Sequence, residues 1–165
     1  MLKELFLKLK TSRKLKHRPA VQPCSYDTSL NIGIVANTKS IQANVFDDFV
    51  GNLMAEGKNV TVLKVDTSAG KDGVPESISR IDVSLFGDIK SERLETFLSQ
   101  RYDFLLVIDH HMDFLLQFVV AHCKAGYKIG FRDFPNRKGL DLLIKPDKDR
   151  ELDDLLKYTK MINHV

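Results

Sequence analysis

The sequence has little of what several protein classes require. Its 165 residues include no tryptophan, and its only cysteines, Cys24 and Cys123, are far apart. Such spacing provides neither a disulfide framework nor a zinc site. No apolar run approaches the roughly 20 residues of a membrane-spanning helix, and charged residues interrupt the first ten positions, where a secretory signal would be apolar. These absences predict a protein of the reducing cytoplasm without a transmembrane segment.

Motifs that carry common chemistry are also missing. There is no Gly-x-Gly-x-x-Gly fingerprint and no Walker pattern, so no glycine-rich loop is predicted to bind a nucleotide phosphate. There is no Gly-x-Ser-x-Gly elbow, and neither cysteine follows a predicted strand, so nucleophilic catalysis has no candidate residue. The sequence therefore predicts no catalytic residue and no cofactor.

The net charge of +3 is unevenly distributed. Residues 1–18 contain seven basic side chains and one acidic side chain, a net charge of +6, whereas the rest of the chain has a net charge of −3. A basic face extending over the whole domain, which would indicate nucleic-acid binding, is not predicted. We expect the partner to be another protein or a small anionic ligand.

Residues 1–18 are predicted to form a basic amphipathic helix, and residues 19–30, with two prolines, a linker to a single domain, residues 31–165. Two interpretations of the helix remain open. It could lie on an anionic membrane surface or dock on a partner, or it could pack on its own domain while its lysines cover apolar surface. Its apolar face consists of Leu2, Leu5, Phe6 and Leu9.

The domain is organised around residues 101–131. An apolar run over 104–108 is followed by a polar loop, a nearly all-apolar helix over 114–121, and a second short strand over 127–131. Further strands are predicted over 32–35, 59–65, 81–86 and 140–144, with helices between them and a last helix over 149–163. This alternation predicts an α/β, Rossmann-like three-layer sandwich with a mostly parallel sheet of five or six strands.

Ligands of such sheets bind beyond the carboxyl ends of the strands. Lys39 and Ser40, near a predicted helix start, could hold an anion there. Alternatively, Thr38 or Ser40 only caps the helix. Polar residues after the predicted strands are the candidate ligand-binding set: Asn37, Thr38, Lys39, Ser40, Asp109, His110, His111, Arg132 and Asp133.

The segment Val107-Ile-Asp-His-His111 resembles the motif of the DHH phosphoesterases. That resemblance implies a metal site with Asp109 and His110 as ligands, where a metal-bound hydroxide would attack a phosphodiester. The Asp-x-Asp element of that family is missing, because its position is occupied by Asn37-Thr38-Lys39. The alternative is that Asp109 caps the following helix and the histidines lie in a solvated loop.

Two further resemblances concern the fold. Residues 101–131 resemble part of the acceptor-side N-terminal half of the heptosyltransferases, whose second half, which binds the nucleotide sugar, has no counterpart here. Nearly the whole chain resembles an uncharacterised family of small bacterial Rossmann-like proteins, through Ile32–Val35, Asp82–Lys90, Tyr102–Asp109, Lys128–Phe131, Asp141–Lys145 and Met161–Asn163. Neither resemblance implies a chemistry for this chain.

Three hypotheses of function result. The leading one is a non-catalytic cytoplasmic protein that binds a ligand or partner at the strand ends. The alternatives are a metal-dependent phosphoesterase that uses the Asp109-His110-His111 loop, and membrane or partner docking through residues 1–18.

Overall fold

A computed structural model describes residues 8, 11–14, 24–37, 39, 42–67, 76–84, 87–132, 139–147 and 149–162. Residues 8 and 11–14 are helical. The elements that follow, in chain order, are β1 (Asn31–Asn37), α1 (Ala43–Ala55), β2 (Asn59–Val65), β3 (Ser77–Ile78), a 3-10 turn (Arg80–Asp82), α2 (Glu92–Ser99), β4 (Arg101–Ile108), α3 (Phe114–His122), β5 (Lys124–Phe131), β6 (Leu142–Ile144) and α4 (Glu151–Lys160).

The six strands form one sheet in the order β3-β2-β1-β4-β5-β6, and all neighbouring pairs are parallel. From β1 the chain moves towards β2, and from β4 it moves in the opposite direction towards β5. Because such crossovers are right-handed, α1 and α3 lie on opposite faces of the sheet. The predicted α/β, Rossmann-like sandwich is confirmed, and its switch in strand order lies between β1 and β4.

The positions of the strands and helices follow from the apolar residues that each of them buries. In β1 and β4, the two central strands, nearly every residue is buried, as expected for parallel strands covered on both faces. Helix α3 is apolar on all sides, and seven of its nine residues are buried, so it packs as an interior helix. Helix α2 is amphipathic and buries Leu94, Phe97 and Leu98. Ser91 caps its amino end, since its side chain accepts a hydrogen bond from the Leu94 amide.

The strand predicted over residues 81–86 is wrong. Residues 80–82 form the 3-10 turn, and Val83 makes only an isolated antiparallel bridge with Ile89. The Ser79 amide donates to the Asp82 carboxylate at 2.7 Å, so a local side-chain contact fixes a turn where apolar residues had indicated a strand. The strand found in this part of the chain is β3, which is two residues long and pairs with β2 at the edge of the sheet.

The described part of the predicted linker, residues 24–30, packs on the domain. Tyr26 is buried, its amide donates to the carbonyl of Ile162, and its hydroxyl donates to Glu56 at 2.8 Å. The ammonium of the buried Lys58 donates to the carbonyls of Tyr26 and Ser29 and lies 4.4 Å from the centre of the Tyr26 ring. This segment is therefore fastened to the connection between α1 and β2 and to the residues that follow α4.

The apolar residues of the predicted N-terminal helix and residues 68–75, between β2 and β3, lie outside the described residues. Within the part of the chain that is described, no helix combines the length and apolar character needed to cross a membrane.

Candidate functional site

The candidate site is centred on a contact between the two strands at the switch in strand order. Asn37 is the last residue of β1, and Asp109 directly follows β4, its neighbour in the sheet. The Nδ2 of Asn37 donates to Oδ1 of Asp109 at 2.9 Å and to Oγ1 of Thr67, after β2, at 3.2 Å. The ends of three adjacent strands are thus connected at the position where this fold places ligands.

Asp109 fixes the shape of the loop that follows β4. Its side chain has no exposed surface, and its Oδ2 accepts from the amides of His111 at 3.2 Å and Met112 at 2.6 Å. Met112 has φ +46°, a left-handed conformation that costs a side-chain-bearing residue about 1 kcal/mol or more. The hydrogen bonds of Asp109 thus hold a strained turn at the strand end.

The prediction that Asp109 caps the following helix is wrong, because four residues separate it from the helix. Asp113 performs that role: its Oδ1 accepts from the amides of Leu115 at 2.9 Å and Leu116 at 3.0 Å. Burial raises the pKa of Asp113, although these amides and the guanidinium of Arg80, 3.6 Å away, oppose that rise. The helix after the site therefore begins at a partly buried carboxyl group that is costly to ionise.

The two histidines occupy different surroundings. The Nε2 of His110 lies 3.0 Å from Oε2 of Glu151, the first residue of α4, and its ring stacks on Phe131 with 5.3 Å between ring centres and 12° between planes. His110 is therefore held between β5 and α4, whereas Asp109 contacts Asn37. His111 is exposed, which agrees with the solvated-loop interpretation for this residue alone.

Lys39 and Arg132 are exposed at the same edge of the sheet. The amide of Lys39 donates to Oδ1 of Asn37 at 3.1 Å, and the amide of Arg132 donates to the carbonyl of Ile144 at 2.7 Å, so the backbone of both residues is fixed while their side chains face solvent. Each of the two exposed basic residues thus has its backbone amide held by a hydrogen bond at this edge.

Three of the predicted site residues, Thr38, Ser40 and Asp133, lie outside the described residues. The prediction that Thr38 or Ser40 caps α1 is wrong, because α1 begins at Ala43 with Gln42 at the capping position and without a side-chain cap.

Within the described residues, no group of three or more His, Cys, Asp or Glu side chains is placed to hold a metal ion. The two residues predicted to bind a metal, Asp109 and His110, are consecutive in sequence. Their functional atoms contact different residues, Asn37 and Glu151.

Sequence reasoning missed Thr67, Phe131 and Glu151 as members of the site. Thr67 and Phe131 stand at the carboxyl ends of β2 and β5, so they could have been found by treating every strand end alike. Glu151 carried no such signal, because its contact with His110 depends on where the last helix returns to the sheet.

The family of unknown function DUF6913 matches residues 3–162 of the chain, which therefore belongs to that family. No curated protein and no solved structure matches the sequence. The predicted resemblance to an uncharacterised family is supported by this match, and the resemblance to heptosyltransferases stays a prediction.

Proposed function

We propose that this member of the DUF6913 family is a non-catalytic binding domain that holds a small anionic ligand over the carboxyl ends of β1, β4 and β5. The observation that carries the proposal is the position of Lys39 and Arg132, exposed basic residues just beyond β1 and β5, which are the two strands that flank β4. Only β4 separates β1 from β5, so these strands are about 10 Å apart. One small anion could contact both side chains.

The chemistry of the site supports binding without catalysis. Asp109, the carboxylate best placed to act as a base or metal ligand, is fully buried and accepts hydrogen bonds from one side chain and two backbone amides. A general base must reach a substrate proton, which this carboxylate does not do. The exposed groups Lys39, His111 and Arg132 are donors suited to an anion.

Titration calorimetry with inorganic phosphate and a panel of small phosphorylated and carboxylated compounds tests the proposal. We expect at least one compound to bind, and the variant combining Lys39→Ala with Arg132→Ala to weaken that binding by about tenfold or more. Lys124→Ala is the matched control, since Lys124 is exposed at the amino end of β5, on the opposite edge of the sheet. Binding that the double variant leaves unchanged, or hydrolysis that is lost in His110→Ala, would overturn the proposal.

The two alternatives remain proposals of lower rank. A metal-dependent phosphoesterase would need Asp109 and His110 to exchange their contacts with Asn37 and Glu151 for a metal. Docking through residues 1–18 would be dismissed if deleting that segment left sedimentation with anionic vesicles unchanged. We further propose a cytoplasmic location, which is supported by the free thiols of Cys24 and Cys123.

A further inference from the structure

One edge of the sheet is only partly covered. Strand β3 pairs with β2 through Lys64 and Val65, and among the described residues nothing pairs with the outer side of β2 from Asn59 to Leu63. The direction of the backbone groups follows from two contacts. The amide of Asp66 donates to β3, and that of Asn59 donates to Leu30, on the β1 side. Because alternate residues point in opposite directions, the N–H and C=O groups of Val60 and Val62 point out from the edge.

A groove lies on each face of this open stretch. On the α1 face, a groove of about 540 Å³ is lined by Val62, Lys64 and the helix residues Phe46, Val50, Gly51 and Met54. On the α2 face, one of about 370 Å³ is lined by Thr61, Leu63, Glu92, Arg93, Thr96 and Phe97. Side chains of an added strand alternate between the two faces, so an edge with a groove on each face suits an added strand.

The open stretch lacks the devices that usually protect a sheet edge. Its sequence, Asn-Val-Thr-Val-Leu, has no charge and no proline, and charged residues, prolines and bulges are what monomeric proteins use to prevent edge pairing. The exposed Met54, at 57% relative exposure, adds apolar surface beside it. As far as the described residues extend, this edge is therefore open to pairing.

We propose that the edge is occupied by a second copy of this chain, with the two β2 strands antiparallel about a two-fold axis at Thr61. In that register Val60 pairs with Val62 of the other copy through their outward N–H and C=O groups, and Thr61 lies opposite its own copy. The length of the open stretch supports this choice of occupant. It has five residues with Thr61 at its centre, and β3 of each copy ends the ladder beyond Leu63.

The charges around the grooves also favour a self-complementary contact. Residues of both signs line the rim: Asp47, Glu76 and Glu92 are acidic, and Lys64 and Arg93 are basic. A two-fold axis normal to the sheet places each face beside the same face of the other copy, so acidic and basic side chains of the same rim can meet.

Light scattering during gel filtration is the first test, and we expect the full chain to elute as a dimer. Thr61→Lys and Thr61→Glu should each raise the dissociation constant by about tenfold or more, because like charges then lie directly opposite each other. An equimolar mixture of these two variants should restore a dimer that contains one copy of each. A monomeric wild-type protein, or charged variants whose dimer dissociation constant equals that of the wild type, would overturn the proposal.

Cross-linking tests the register in a chain carrying Cys24→Ser and Cys123→Ala. Thr61→Cys should form an intermolecular disulfide, since directly opposed residues of a non-hydrogen-bonded pair have Cα atoms about 4.5 Å apart. Val60→Cys is the matched control, because its partner is Val62 and not its own copy, so we expect little cross-linking. A dimer in which Val60→Cys cross-links as well as Thr61→Cys, or in which Thr61→Cys does not cross-link, would show that another surface or register mediates the contact. Circular dichroism confirms folding of each variant.

Discussion

The side-chain amide of Asn37 donates a hydrogen bond across the switch in strand order to a carboxylate, Asp109, that has no exposed surface. The direction of this bond is set by its surroundings. Asp109 must accept, because two backbone amides already donate to it, and Asn37 can donate because its carbonyl oxygen accepts from the Lys39 amide. The pair is therefore one hydrogen-bonded unit that connects the loops after β1 and β4.

We predict that exchanging the two residues preserves this unit better than changing either one. In Asp109→Asn two side-chain amides face each other unless one amide group flips, and in Asn37→Asp two carboxylates face each other. Each substitution should therefore lower the free energy of unfolding by about 1–3 kcal/mol. In the double variant, which combines the two substitutions, the amide introduced after β4 can donate to the carboxylate introduced at the end of β1. The oxygen of that amide can still accept from the backbone amides of His111 and Met112. Urea unfolding of all four proteins measures the coupling. Strictly additive losses would contradict the prediction.

A second prediction concerns Asp113, the partly buried residue that caps α3. Burial raises its pKa in the folded state, so the folded protein binds the proton more tightly than the unfolded chain does. The contribution of this group to stability is therefore fully present below the ordinary pKa of 3.8 and is lost as pH rises through the raised folded value. Asp113→Asn keeps the cap without titrating, so the stability of the wild type relative to this variant should increase as pH falls through that window.

Two controls separate the cap of Asp113 from its charge. Asp113→Ala should be about 1 kcal/mol less stable than Asp113→Asn at every pH, because the amides of Leu115 and Leu116 lose their acceptor and neither variant titrates at this position. Asp88→Asn is a matched control, since Asp88 is exposed. A constant difference between wild type and Asp113→Asn from acidic to neutral pH would contradict the assigned pKa direction.

The centre of the fold was predictable because burial alone determines it. The apolar runs of β1 and β4 and the nearly all-apolar α3 allow only an interior position, and a parallel sheet then places the carboxyl ends of β1 and β4 at the same edge. A common edge for Asn37 and Asp109 thus followed from the predicted parallel sheet, whereas their adjacency depends on the strand order, which the sequence did not predict. Their mutual hydrogen bond did not, since it depends on side-chain directions within a four-residue turn.

The predictions were wrong or incomplete where the structure depends on a local side-chain contact or on a contact between residues far apart in sequence. The alternation over 81–86 indicated a strand, but Ser79 and Asp82 form a local turn instead. The neighbour of His110 is Glu151, in a helix whose packing on the sheet could not be derived from periodicity. Apolar patterns determine which face of an element is buried, and they carry little information about polar partners far apart in sequence.

A third prediction compares two glycines in and after α1. Gly51 lies within the helix, and a Cβ built there has no atom within 4 Å, so Gly51→Ala should raise the free energy of unfolding by about 0.5–1 kcal/mol. Gly57 ends the helix with φ +80°, so Gly57→Ala should lower it by about 1–2 kcal/mol. Urea unfolding at one protein concentration measures both. We therefore expect the glycine-to-alanine substitution to change the free energy of unfolding in opposite directions at the two positions. Changes in the same direction would contradict the two backbone conformations.

The last prediction concerns metal content, because it separates the proposed binding domain from the phosphoesterase alternative. The oxygens of Asp109 are engaged by Asn37 and by the amides of His111 and Met112, and His110 is engaged by Glu151, so we expect no stoichiometric transition metal. Elemental analysis of untagged protein purified without chelator measures this. His122→Ala is the control, because His122 lies on α3 and donates a hydrogen bond to the Phe118 carbonyl. A stoichiometric metal that is lost in His110→Ala and kept in His122→Ala would favour the phosphoesterase. It would require Asp109 and His110 to leave their present partners, and a screen of phosphodiesters would follow.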